Sequence, residues 1–220
     1  MDEKPMKPEA FFVISNWKNN CSWIEEYTNR YIIYDKSNTL PDGDKIIRID
    51  NVGHNIYDCF HFITNNYDSL PEITFFGQGL VWDHCKRETF DKLIYNTEFT
   101  PIEDYAHVAE SYAHRKAPDG NYTEINSSWY LLLPPPYEHR KYHAYDQFMN
   151  EMFTDYTHVD WIRFSPGAQY VVPKRNILKY SKEFYMKLMS LVDYAQYTME
   201  AHLLERALFY IFSNRYEERL

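Results

Sequence analysis

No stripe of lysine and arginine, no paired cysteines and no long apolar run occur in these 220 residues. Each absence narrows the reading. Net charge is −9 and the basic residues are scattered, whereas nucleic-acid binding needs clustered positive charge. No nucleic-acid partner is expected. Cys21, Cys59 and Cys85 are odd in number and widely spaced, so they read as reduced structural thiols rather than a disulfide frame or a zinc site. No segment approaches the ~18 apolar residues of a membrane span, and MDEKPMKPEA lacks the apolar core of a signal peptide. A cytoplasmic protein without a transmembrane segment is therefore expected, and the Asn-x-Ser/Thr triplets at Asn20, Asn121 and Asn126 read as chance. A P-loop and a G-x-S-x-G elbow are also missing. His139 and His143 are four apart, but they sit in a charged run after three prolines and read as solvated.

What is present is aromatic. The chain carries 21 Tyr, 14 Phe and 5 Trp within a 45% hydrophobic content. Such rings fill cores, and Tyr and Trp also suit half-wet surfaces that stack sugars or bases. Periodicity predicts strands at 11–15, 31–35, 46–49 and 73–76. A short helix capped by Ser22 follows the first, and a helix over 54–67 with Ile56, Phe60 and Ile63 on one side follows the third. That alternation is an α/β order, which predicts a mostly parallel sheet flanked by helices. Further on, 86–96 and 145–153 read as helices, SWYLLLPPP as a short strand, 118–120 as a turn and 167–172 as a strand. Helices at 181–194 and 198–213 end the chain. We read residues 1–220 as a single domain, 11–84 forming a nucleotide-binding half and 85–220 an acceptor half with a helical C-terminus.

In open parallel sheets, ligands bind beyond the carboxyl ends of the strands. Here those ends are Ser15-Asn16, Asp35, Asp50-Asn51-Val52-Gly53 and Gly77-Gln78-Gly79, with Asp83 and His84 close behind the last. A helix starting near His54 points backbone N–H groups at the same edge, which suits an anionic group such as a diphosphate. The rival reading of Gly77 and Gly79 is a simple turn.

The pattern FVIS, then YIIYDK, then NVG followed by FITNNYDSLPEITFFGQG resembles an uncharacterised domain family of fungal, algal and bacterial proteins. The resemblance resumes in PGAQYVVPKRNI and HLLERALFYIF, covering about residues 11–84 and 165–213. The first half of that family is similar to GT-A-type glycosyltransferases, including those of rhamnan and capsule synthesis. The resemblance implies a GT-A-like fold that transfers a sugar from a nucleotide-sugar donor to a glycan or lipid-linked acceptor in polysaccharide biosynthesis. It places Asn51 and Gly53 on an N-x-G loop, and Ser15, Asn16 and Asp35 on nucleotide-facing strand ends. Where such enzymes keep a metal-binding Asp-x-Asp, this chain has Gly77-Gln78-Gly79, and a neutral amide is a poor ligand for Mg²⁺ or Mn²⁺.

Three outcomes are open. Asp83 and His84 hold the metal instead, the enzyme is metal-independent, or only a non-catalytic carbohydrate- or nucleotide-binding module remains. Asp83, His84 and Glu205 are the candidates for proton transfer, and Gln78 and Gln169 for sugar contacts. Asp83 fits the N-cap of helix 86–96 equally well, and Glu205 fits a structural ion pair with an arginine.

Overall fold

The computed structural model describes residues 9–104 and 122–219, so the turn expected at 118–120 and the Asn121 triplet lie outside the described residues. Eight strands and six α-helices are present among the described residues. The strands are β1 (Phe11–Asn16), β2 (Tyr31–Asp35), β3 (Ile46–Arg48), β4 (Ile73–Gln78), β5 (Thr100–Pro101), β6 (Thr123–Ile125), β7 (Trp161–Arg163) and β8 (Tyr170–Pro173). The helices are α1 (His54–Asn65), α2 (Arg87–Leu93), α3 (Tyr145–Met152), α4 (Lys174–Ile177), α5 (Lys182–Met189) and α6 (Met199–Phe212). The main sheet has the order β3-β2-β1-β4-β8-β5. β1, β2, β3 and β4 are mutually parallel, and β8 runs against both β4 and β5. β6 and β7 form a separate antiparallel pair.

The inner strands are apolar over most of their length because both faces are covered, as expected of a parallel sheet. Phe12 and Ile14 of β1 and Phe75 of β4 face one cluster, with Trp23 and Phe90. Val13 and Phe76 face the larger cluster on the opposite side, which holds Ile56, Phe60 and Ile63 of α1. The three α1 residues placed on one side by their spacing are all buried. All three cysteines are free and buried, and no helix among the described residues is long and apolar enough to cross a membrane.

The topology reverses at β1. The chain steps outward from β1 to β2 to β3, and α1 then carries it back to β4 on the other side of β1. The carboxyl ends of β1 and β4 are therefore neighbours, with Ser15 opposite Gln78. Such a reversal is where open α/β sheets place ligands, although here the segments leaving the two ends pack on one face of the sheet, Trp23 against Trp82 and Phe90.

Several local expectations are corrected. Ser22 is the first residue of a 3₁₀ turn, Ser22–Glu26, and not its cap; the side chain of Asn20 accepts its amide instead. Asp83 does not cap α2, whose first turn is held by Asp104 Oδ2, which accepts from the Lys86 amide and the Thr89 hydroxyl. SWYLLL is no strand. Ser128 takes a left-handed φ of 52°, and the Leu131 amide returns to the Ser128 carbonyl, which winds Trp129–Leu132 into a 3₁₀ turn. The strand expected at 167–172 begins only at Tyr170, since Pro166–Ala168 forms a turn in which Gly167 has φ 72°.

Candidate functional site

A two-lobed cavity lies at the carboxyl ends of β1 and β4. One lobe, of about 270 Å³, opens over the strand ends and is lined by Ser15, Lys36, Asn51, Asp83 and Tyr197 among others. The second, of about 300 Å³, runs under α6 and is lined by His84, Trp129, His202, Glu205 and Arg206 among others. His54, Asn55 and Gln78 line both. Gln78, at the end of β4, thus sits at the junction of the lobes.

Its flanking glycines are required by packing and not by a turn. A Cβ on Gly77 would lie 2.5 Å from the Phe75 ring. One on Gly79 would lie 2.4 Å from Asn16 Oδ1. Asn16 is fully buried and accepts the Asn19 amide at 3.1 Å, while the Gly79 carbonyl takes the Trp23 indole N–H at 2.9 Å. Gly79 and Asn16 together bend the chain back beneath the strand-end lobe.

The floor of that lobe is a buried ion pair. Lys36 Nζ lies 3.1 Å from Asp58 Oδ1, with both side chains almost inaccessible. It also donates to the Val52 carbonyl at 2.5 Å and to the His54 carbonyl. Gly53 and His54 both have left-handed backbones, with φ 57° and 51°, and the Gly53 amide donates to Ala195. A Cβ on Gly53 would meet the Val192 carbonyl at 2.5 Å, which explains the glycine. Lys36 thus ties down the loop that starts α1 and sets His54 at the junction. Burial lowers the Lys36 pKa against the pull of Asp58. Burial also pushes the Asp58 carboxyl up to about 6, with Lys36 and Ser15 pulling the other way.

The helix lobe has a different floor. Arg206 is buried and donates to Glu124 through Nε at 2.6 Å and Nη2 at 3.3 Å, and to Glu205 Oε2 through Nη1 at 2.6 Å. Its guanidinium lies over the Tyr130 and Phe164 rings, 4.4 and 4.5 Å from their centroids. Glu205 Oε1 accepts the Gly167 amide at 2.7 Å, and the Gly167 carbonyl takes Asn55 Nδ2 at 2.7 Å. A Cβ on Gly167 would fall 2.5 Å from the His84 ring and 3.3 Å from the Gln78 amide carbon. Gly167 is therefore the point where β4, α1 and α6 close on the cavity. The imidazoles of His54 and His202 stand 5.5 Å apart, centroid to centroid. Burial lowers both pKa values to about 4, helped by each ring's cationic neighbours, so both rings are neutral at pH 7.

The sequence-derived residues divide accordingly. Ser15, Asn51 and Asp83 line the strand-end lobe, His84 and Glu205 the helix lobe, and Gln78 both. Asp83 and His84 thus line different lobes, and among the described residues no group of three or more His, Cys, Asp or Glu is placed to hold a metal. Glu205 does form the ion pair with an arginine, and it lines the cavity as well. Asp35 is fully buried and tied to Leu40, Ser37 and Arg48. Burial raises its pKa, but those amides, the Ser37 hydroxyl and the guanidinium hold it below the usual carboxylate range. Gln169 is buried and donates to the Val81 carbonyl at 3.1 Å; it lines neither lobe. Asn16 and Gly53 shape the edge from behind.

Sequence reasoning missed His54, Asn55, Trp129, Gly167, His202 and Arg206 as lining residues. One signal was available: His202, Glu205 and Arg206 are three and four residues apart, which puts them on one helix face.

Residues 12–218 match the family described as "Protein of unknown function (DUF3431)". The chain belongs to that family. No curated protein and no solved structure matches it. The family's description assigns no chemistry, so the cavity itself carries the functional reading.

Proposed function

We propose that this member of the family is a GT-A-like sugar transferase that takes a nucleotide-sugar donor in the strand-end lobe and an acceptor hydroxyl in the helix lobe. One observation carries the reading: the strand order reverses at β1, and a two-lobed cavity opens at the carboxyl ends of β1 and β4, the position at which open α/β sheets bind ligands. Two lobes meeting at a polar junction suit a two-substrate transfer, with the moving sugar held at His54, Asn55 and Gln78. Holding both partners in one frame removes the entropy cost of their encounter.

Glu205 is the carboxylate to take the acceptor's proton, since the Gly167 amide and Arg206 fix its direction. The neutral rings of His54 and His202 serve as hydrogen-bonding walls. Lys36 and Arg206, the two cations lining the cavity among the described residues, are both already paired. A divalent ion entering with the diphosphate suits this lobe, because Mg²⁺ is commonly held by one or two carboxylates plus substrate phosphates. Asp83 is the exposed carboxylate there, and the ion would neutralise the leaving diphosphate.

A second reading, a carbohydrate- or nucleotide-binding module without turnover, is favoured by Gly77-Gln78-Gly79 in place of paired carboxylates. Thermal-shift titration with UDP and GDP, with and without Mn²⁺, tests the donor lobe. A rise in Tm that depends on Mn²⁺ and is lost in Asp83→Asn supports the transferase. No rise with any nucleotide ends the donor reading. A rise without turnover, measured as release of the diphosphate, leaves the binding module.

A further inference from the structure

We infer that the helix lobe binds an uncharged saccharide, whose ring stacks on Trp129 and whose hydroxyls are read by His54, His202 and Asn55. This deepens the transferase reading and rests on it for the word acceptor, but the binding claim stands on the lobe alone.

Three features of the lobe converge on that ligand class. The first is a platform: Trp129 is 38% exposed although it lines the cavity, whereas its neighbours Tyr122 and Phe164 are each 2% exposed. An indole of that kind covers the C–H face of a sugar and leaves the hydroxyls at its rim. The second is a set of neutral hydrogen-bonding groups. A neutral imidazole carries one donor and one acceptor nitrogen, and the Nε2 atoms of His54 and His202 are buried with no partner among the described residues. A hydroxyl both donates and accepts, so it satisfies either tautomer; a carboxylate or sulfate accepts only. The third is charge. The floor holds two carboxylates, Glu124 and Glu205, against one guanidinium, Arg206, a formal sum of −1. That guanidinium is already spent on both carboxylates, so an anionic sugar would enter against a net negative floor at low local dielectric. At about 300 Å³ the lobe is at the small end of the ~300–1,000 Å³ range of ligand pockets, which suits one or two sugar rings.

Saturation-transfer NMR with the full chain tests this, using methyl glycosides of glucose, galactose, mannose and rhamnose beside methyl glucuronide. Spectra are recorded with and without UDP and Mn²⁺. Glucose and glucuronic acid share the ring and differ at C6, so their comparison isolates the charge. At least one neutral glycoside should receive saturation on its ring protons, and the glucuronide should bind at least tenfold more weakly. Trp129→Ala should remove the transfer, and Trp129→Phe, which keeps a ring and the fold, should weaken it but retain it. Glucuronide binding equal to or tighter than that of the neutral glycosides overturns the inference. So does an unchanged signal in Trp129→Ala, or no neutral glycoside binding in either condition. Saccharide binding with no nucleotide effect on Tm would keep the inference and remove the donor reading. A nucleotide effect without saccharide binding would do the reverse.

Discussion

The two lobes are floored by two buried ion pairs that solve the same problem differently. Under the strand ends, Lys36 meets one carboxylate, Asp58, and fills its remaining donors with the Val52 and His54 carbonyls. Under α6, Arg206 meets two carboxylates and lies over aromatic faces. The first pair has an escape: Asp58 already sits near a pKa of 6, so a modest push makes it a neutral acid. The second is a three-membered cluster: Glu124 is only 3% exposed and takes a bidentate guanidinium that also holds Glu205. Losing one partner of a buried pair costs more than the pair itself contributes, since it strands the other charge. The contrast marks the strand-end floor as adaptable and the helix floor as rigid.

The largest expected effect breaks the rigid floor. Arg206→Met should destabilise the fold by about 3–5 kcal/mol, the cost of leaving a buried carboxylate unpaired. Adding Glu124→Gln should recover much of that loss. Urea unfolding at constant m-value measures both. A single variant as stable as the parent would show that the guanidinium does not compensate Glu124. A double variant as weak as the single would locate the cost in lost aromatic packing instead.

Lys36→Met probes the adaptable floor and should cost less, about 2–3 kcal/mol at pH 8 by the same reasoning. Its signature is the pH dependence. Without Lys36, Asp58 takes up a proton, so the penalty should shrink as pH falls from 8 to 5. A Lys36→Met penalty that does not change with pH would show that Asp58 is not the charge left stranded.

The same contrast separates what was legible in the sequence from what was not. Strand ends announce themselves locally: the apolar runs of β1 and β4 end in Ser15-Asn16 and Gln78-Gly79, of which Ser15, Gln78 and Gly79 line the strand-end lobe, and the 3.6-residue spacing marked the buried side of α1. The helix lobe is assembled from Trp129, Gly167 and α6, pieces far apart in sequence that meet only by packing. No local pattern announces such a meeting. Gly167 shows the difficulty best, since GAQ reads as the start of a strand, yet its left-handed backbone is where Glu205, Asn55 and His84 converge. Misreadings within the matched elements have the same origin. Asp83 has the right residue type to cap α2, but Asp104, placed by the sheet edge, reached the helix first.

The smallest effect concerns the imidazoles that both lobes share. His54 and His202 have an ordinary pKa of 6.5 and a folded value of about 4. Between these values the unfolded chain binds more protons than the native one, so stability rises with pH across that window and is lost as pH falls from 6.5 to 4. Asp58 works in the opposite sense. Its pKa rises from 3.8 to about 6 on folding, so the native state binds its proton first and gains stability as pH falls. Two histidines against one aspartate leave a net loss on acidification, about 1–3 kcal/mol from these groups by pH 5. Unfolding measured at pH 7.5 and pH 5 should show that loss, and the His54→Gln, His202→Gln double variant should show less of it, because of these three groups only Asp58 then titrates. If the double variant keeps the full acid loss, the rings are not held neutral by burial, and their part in reading an uncharged ligand falls with that result.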